Sequence, residues 1–262
     1  MINKKATIFL TFTFGLTSLM WWPLTFLKHD NAPIYHHPLF FILFALGGFA
    51  PTIAPYISIK FSDNNFQDFN KSVLKWRINI LYYLFCLAGV FGIHYLSIAV
   101  YGFIYQPIGS ELAPQFIYLF PSLLVMIFFG GLEEFGWRGL LLPELNKKFS
   151  LSIAALVVGL IWGLWHLPLF FINGTTQYHT KFFEFLLNSV GLGFVLAWLY
   201  NKTNSILICV VFHALENAIL SVGVVSPPNG RSVTAVIWLI VGVGLLSSEH
   251  LINKKKAKLN RN

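Results

Sequence analysis

Apolar runs long enough to cross a bilayer recur along the chain, separated by short polar punctuation. Cut at stretches of about 18 or more apolar residues, the pattern predicts spans near residues 6–27, 38–59, 78–104, 115–142, 150–172, 182–200, 205–225 and 233–248. This is an all-α, polytopic transmembrane bundle of about eight helices, one integral membrane domain over residues 1–262 with a basic tail from about 249. The third and fourth runs exceed the roughly 20 residues a crossing needs, so tilting or protrusion is expected there. The first run follows a basic start, MINKK, yet it outlasts the roughly 7–15 residues of a secretory h-region. WWPLTFLKHD also supplies no small-residue cleavage site, so the run is read as a span.

Composition supports the same class. Only 11% of residues are charged and 56% are hydrophobic, against about 25% charged in soluble domains, so there is too little polar surface to coat a water-soluble globule. With the amino terminus inside, 15 of the 18 Lys and Arg residues fall on the inner side, and only Lys28, Lys181 and Arg231 fall outside. The positive-inside rule therefore puts both termini in the cytoplasm. The tail KKKAKLNRN reads as a patch held at anionic headgroups and not as a nucleic-acid surface. The Ile, Lys, Asn and Phe bias suits a bacterial plasma membrane protein. Cys86 and Cys209 lie inside spans, where free thiols act as small hydrophobes, and no disulfide or zinc-finger spacing exists. Oligomeric state leaves no trace in the sequence.

Ionisable residues at membrane depth carry the candidate chemistry, because one charge at a helix centre costs on the order of 2.5–3.5 kcal/mol. Within the predicted spans these are Glu133, Glu134, Arg138, His166, His213 and Glu216, with His94 and Glu184 at the margins. At about 100° per residue, Glu134 and Arg138 share a helix face and can pair, whereas Glu133 sits about 140° away from Arg138. Glu134 and Arg138 are accordingly read as a supporting pair, and Glu133 as projecting into a polar cavity. His166 lies one turn beyond Trp162, just ahead of Pro168, which loosens the local ladder. His213 and Asn217 are four apart and can aim at one point, offering donors to an oxyanion or lone pairs to a metal. Glu216 stands three residues from His213 and is a candidate to orient its ring. Taken singly, each element also reads as interhelical packing; together they supply a carboxylate, two imidazoles and a carboxamide. His94 is read as packing, His36 and His37 as solvated loop residues, and Glu184 with Asn188 as snorkelling to water.

EExxxR at Glu133–Arg138, an aromatic-xxx-His at Trp162–His166 and HxxxN at His213–Asn217 resemble, in that order, the three motifs of the CAAX-protease and bacteriocin-processing (Abi) family of intramembrane endopeptidases. The likeness spans about residues 115–220, with Trp162 where the family commonly has phenylalanine. It implies that Glu133, helped by His166, activates water, that His213 and Asn217 hold the oxyanion, and that Glu134 and Arg138 support the site. The implied substrate is a membrane-associated or prenylated peptide. A zinc version would use His166, His213 and Glu133 as ligands and acidify bound water; a metal-free version, the one adopted, gives the proton traffic to Glu133 and the histidines. No HExxH is present. The competing class is a non-proteolytic protein of the same fold, either a proton-coupled carrier, for which no inverted repeat is found, or an immunity or scaffold protein.

Depth counting leaves a conflict. At about 1.5 Å per residue from the predicted cytoplasmic ends, Glu133 and His213 lie roughly 13 Å deep but His166 nearer 24 Å. The expectation is a fifth helix that starts beyond Ser150, tilts, or breaks near Pro168, and a cavity open toward the cytoplasmic half.

Overall fold

A computed structural model describes residues 3–27, 37–105, 115–223 and 231–259. The tail side chains from Lys255 onward, Lys28, His36 and the predicted seventh span past Gly223 lie outside them. The described residues contain helices and turns and no strand.

The chain opens with α1 (Lys4–Trp21), whose first turn is capped by the Asn3 side chain accepting from the Ala6 N–H. α2 (Pro38–Gly48) and α3 (Ala50–Lys60) meet at a 44° bend and form one broken span. After a short α4 (Gln67–Val73) comes α5 (Ile80–Ile104), a continuous 25-residue helix. α6 (Leu119–Phe128) leads into a segmented stretch: a 3-10 turn at Gly131–Glu133, α7 (Glu134–Gly136), a π turn at Trp137–Leu141 and α8 (Leu142–Asn146). α9 (Leu151–Trp165), α10 (Phe182–Thr203), α11 (Ile206–Ser221) and α12 (Arg231–Leu259) complete the bundle. Six stretches are long and apolar enough to cross a membrane, seven with the bent pair, and the 16-residue apolar α11 occupies the remaining predicted span. The protein is thus an all-helical integral membrane protein whose outer surface bears apolar side chains such as Phe26, Phe103 and Ile117. Lipid tails solvate such a sheath as water solvates a polar one.

Small residues set the inner packing, because helices in lipid associate through close contact and not through a hydrophobic effect. A Cβ on Gly159 of α9 would meet the Val190 backbone of α10 at 2.9 Å, and one on Gly191 would meet the α12 backbone at Leu239 at 2.5 Å. Polar ties then fix the helices in register. The Trp165 indole donates to the Thr17 hydroxyl at 2.8 Å, and that hydroxyl donates to the Gly47 carbonyl at 2.9 Å, linking α9, α1 and α2.

Contacts divide the bundle into two ends. At one, Lys5 pairs with Asp63 at 2.7 Å, Lys147 with Glu144 at 2.7 Å and Lys202 with Glu249, and Asn3 donates to Glu144. The Lys5 bond holds the Asp63 carboxyl below its ordinary range. At the other end Ser232 donates to Glu184 at 2.7 Å, Lys181 lies 3.6 Å from Glu184, and the Gln115 N–H reaches the Val222 carbonyl at 2.9 Å.

The fourth predicted span is where observation and expectation part. It accommodates its excess length by breaking and not by tilting as one rod, and the break falls at Gly130, whose φ of 151° is open to glycine and strained for other residues.

Candidate active site

The interrupted α6–α8 stretch delivers both glutamates. Glu134 and Arg138 are fully buried, with the guanidinium donating to Oε1 at 2.8 Å across the four-residue spacing. The same Oε1 accepts from His213 Nδ1 at 2.9 Å. A carboxylate oxygen has no proton to give, so Nδ1 carries the hydrogen and Nε2 remains for other work. Glu134 therefore orients His213, the task the sequence had offered to Glu216. Glu216 instead accepts from His94 of α5 at 2.9 Å, both groups being buried.

Glu133 points elsewhere. Its Oε2 accepts from the Trp162 indole at 2.8 Å and from the Trp137 indole at 3.4 Å, while Oε1 has no hydrogen bond among the described residues. Trp162 is central to the cluster: its ring lies 5.1 Å from His213, 5.9 Å from His166 and 5.0 Å beneath the Arg138 guanidinium. His166 donates from Nδ1 to the Trp162 carbonyl at 2.9 Å, which leaves its Nε2 without a hydrogen bond among the described residues. Asn217 is admitted by Gly130, since a Cβ there would sit 2.3 Å from Asn217 Nδ2 and 3.5 Å from His213 Nε2.

Glu133, His166, His213 and Asn217 all line one cavity of about 690 Å³, and Glu134 and Arg138 lie behind its wall. The depth conflict disappears for three reasons. α8 runs to Asn146, four residues past the predicted limit, which adds about 6 Å to the depth of Glu133. α11 starts behind the fully buried Ser205, whose hydroxyl donates to the Lys75 carbonyl, so the helix begins inside the protein. α9 starts at Leu151 behind its cap Ser150 and not further out, and of the alternatives expected it is the break that occurs: the helix stops at Trp165 with His166 as its cap, followed by a 3-10 turn containing Pro168.

Two expectations are corrected. The cavity runs toward the end bearing Gln177, Thr180 and Arg231, away from the end that carries the amino terminus. The reason is packing beneath Glu133, where Trp137 and Leu141 are fully buried and a Cβ on Gly136 would strike Phe9 and the Pro51 carbonyl at 2.5 Å. His94, Glu184 and Asn188, set aside in the sequence, line this cavity with Glu216. The indole donors of Glu133 were also missed, although Trp137 stands four residues after it, the spacing that had already singled out Arg138.

The possible zinc ligands His166, His213 and Glu133 share the cavity wall without forming a metal-binding group. Among the described residues no group of three His, Cys, Asp or Glu side chains is disposed to hold a metal ion. The donor set therefore does not fit a three-ligand site, and no step is routed through a metal.

A membrane-spanning helical bundle with carboxylates and imidazoles collected around an internal cavity is an architecture open to intramembrane enzymes and to carriers. Two comparisons bear on that choice. The family model "Type II CAAX prenyl endopeptidase Rce1-like" matches residues 114–219, the stretch that holds all three motifs. The CAAX prenyl protease 2 of Methanococcus maripaludis is 25% identical over 260 residues, covering 93% of this chain and 94% of the relative. The chain is thus similar, over its motif-bearing stretch, to the type II CAAX prenyl endopeptidases and, over nearly its whole length, to a CAAX prenyl protease.

Proposed function

We propose that the protein hydrolyses a peptide bond of a membrane-associated or prenylated peptide by direct attack of water, with Glu133 as the base. The observation that carries this reading is the convergence of Glu133, His166, His213 and Asn217 on one cavity inside a bundle that otherwise excludes water. Two indole N–H groups hold one oxygen of Glu133 and leave the other for a water proton. His166, with Nε2 unbonded, assists in moving that proton toward the leaving amine. We assign the oxyanion to Asn217 Nδ2 and to His213 Nε2, which donates only when it carries a second proton, while Glu134 with Arg138 holds the His213 ring in place. The protein is placed in a bacterial plasma membrane with both termini in the cytoplasm, a reading supported by the 15 basic residues assigned to that side.

Glu133→Gln, expressed and folded like the wild type, is expected to abolish cleavage of a prenylated or membrane-tethered peptide by the purified protein. Intact cleavage by that variant would overturn the proposal. A pH-dependent solute flux into vesicles, without cleavage, would establish a carrier instead.

A further inference from the structure

We propose that the connection between α3 and α5, residues 61–79, is a binding site for the headgroups of anionic phospholipids, and that a headgroup held there steadies the two segments that present the candidate site. Its effect on turnover rests on the protease reading above; the binding itself does not.

Three observations combine. First, the connection sits at the edge of the hydrocarbon. It leaves the broken α2–α3 span after Lys60 and enters α5 at Ile80, where Ile80 and Leu81 are already exposed apolar side chains. α4, seven residues long, is too short to cross a bilayer and lies between these two spans. Second, its outer face mixes cations with apolar groups. Lys71, Lys75 and Arg77 are exposed and form no ion pair among the described residues, whereas Lys5, Lys147 and Lys202 of the same end each pair with a carboxylate. The acidic side chains of the stretch are Asp63, which is held by Lys5, and Asp68 in the first turn of α4. Among the cations Leu74 is 73% exposed and Trp76 60%, with the Arg77 guanidinium 5.0 Å from the Trp76 ring centre. A free anion would leave Leu74 and Trp76 in water. A phospholipid covers both, since its phosphate meets the cations while its glycerol and upper acyl chain meet the apolar groups, and tryptophan favours that level of the bilayer. Third, the inner face of α4 braces the segments that carry the site. Phe69 is buried with its ring 6.2 Å from that of Phe135, which stands between Glu134 and Arg138, and a Cβ on Gly139 would lie 2.9 Å from it. The Ser72 hydroxyl donates to the Asn204 carbonyl at 2.9 Å, and the Ser205 hydroxyl, which caps α11, donates to the Lys75 carbonyl. A helix as short as α4 is unstable by itself, so whatever holds its outer face also sets how firmly its inner face supports the π turn bearing Arg138 and the start of the helix bearing His213 and Asn217.

Titration of the full-length protein in a neutral detergent with a fluorescent short-chain phosphatidylglycerol tests the site directly. The variant Lys71→Gln/Lys75→Gln/Arg77→Gln is expected to bind about a hundredfold more weakly, from roughly a fivefold loss for each cation removed at an anionic surface. Lys71→Arg/Lys75→Arg should bind like the wild type, and so should the tail variant Lys254→Gln/Lys255→Gln/Lys256→Gln/Lys258→Gln. Wild-type affinity in the triple variant, binding lost in the tail variant alone, or equal binding of phosphatidylcholine or of inorganic phosphate would overturn the proposal. In nanodiscs, turnover of a membrane-tethered peptide should rise when phosphatidylglycerol is added to phosphatidylcholine. That rise should vanish in the triple variant, whose turnover in phosphatidylcholine alone stays at the wild-type level, and in Phe69→Leu, which keeps its affinity for the lipid. A rise that persists in either variant, or none in the wild type, would overturn the link from headgroup to site. Lipid binding lost in the triple variant, with no cleavage by the wild type in either kind of disc, would overturn the protease reading and leave the lipid site standing.

Discussion

His94 and Glu216 lie 2.9 Å apart and join α5, which bears none of the three motifs, to the helix that presents His213 and Asn217. The pair lines the cavity wall, so its carboxylate keeps some access to water if its partner is removed. His94→Ala is therefore expected to cost about 1–3 kcal/mol, the range for a buried group left unsatisfied. Glu216→Gln, which keeps an acceptor for the imidazole, should cost less. Unfolding in detergent micelles, followed by denaturant titration, measures both.

Arg138 and Glu134 make the contrasting case, being fully buried and absent from the cavity wall. Removing one partner strands a charge with no solvent to accept it. Arg138→Ala should then destabilise by about 3–5 kcal/mol, more than His94→Ala. Equal losses for the two variants in the same titration would show that the cavity does not hydrate Glu216.

Asn217→Ala should leave the melting temperature close to wild type while kcat falls by roughly 10²–10³, the effect of losing one oxyanion donor. KM for a membrane peptide should change little, because the contact strengthens only as charge develops on the carbonyl oxygen. A fall confined to KM would assign Asn217 to substrate binding.

Gly130→Ala tests the break in the fourth span. The φ of 151° and the 2.3 Å approach to Asn217 Nδ2 leave no room for a methyl group. Strain of order 1–3 kcal/mol is expected, together with a loss of kcat at least as large as that of Asn217→Ala. A variant with wild-type kcat would separate the backbone break from the chemistry.

Metal dependence has a direct measurement. Since no three ligating side chains among the described residues are disposed to hold one ion, purified protein is expected to carry no stoichiometric zinc and to cleave equally after chelation. Zinc at one per chain, lost in His166→Ala and in His213→Ala, would overturn the metal-free scheme.

Much of this protein is written in linear order. The alternation of long apolar runs with basic loops specifies a membrane bundle, because lipid admits a backbone only when a helix satisfies its own hydrogen bonds. The four-residue spacings are equally local: Glu134 with Arg138 and His213 with Asn217 share faces by helical geometry alone. Other relationships depend on which helices become neighbours. The partners of His213 and Glu216 come from α7 and α5, 79 and 122 residues away in the chain, and neither separation has a periodic signature. The direction of the cavity was decided in the same way. It follows from where Trp137, Phe9 and Ile206 fill space and where no side chain does, and void space is a property of packed volumes that no run of residues encodes by itself.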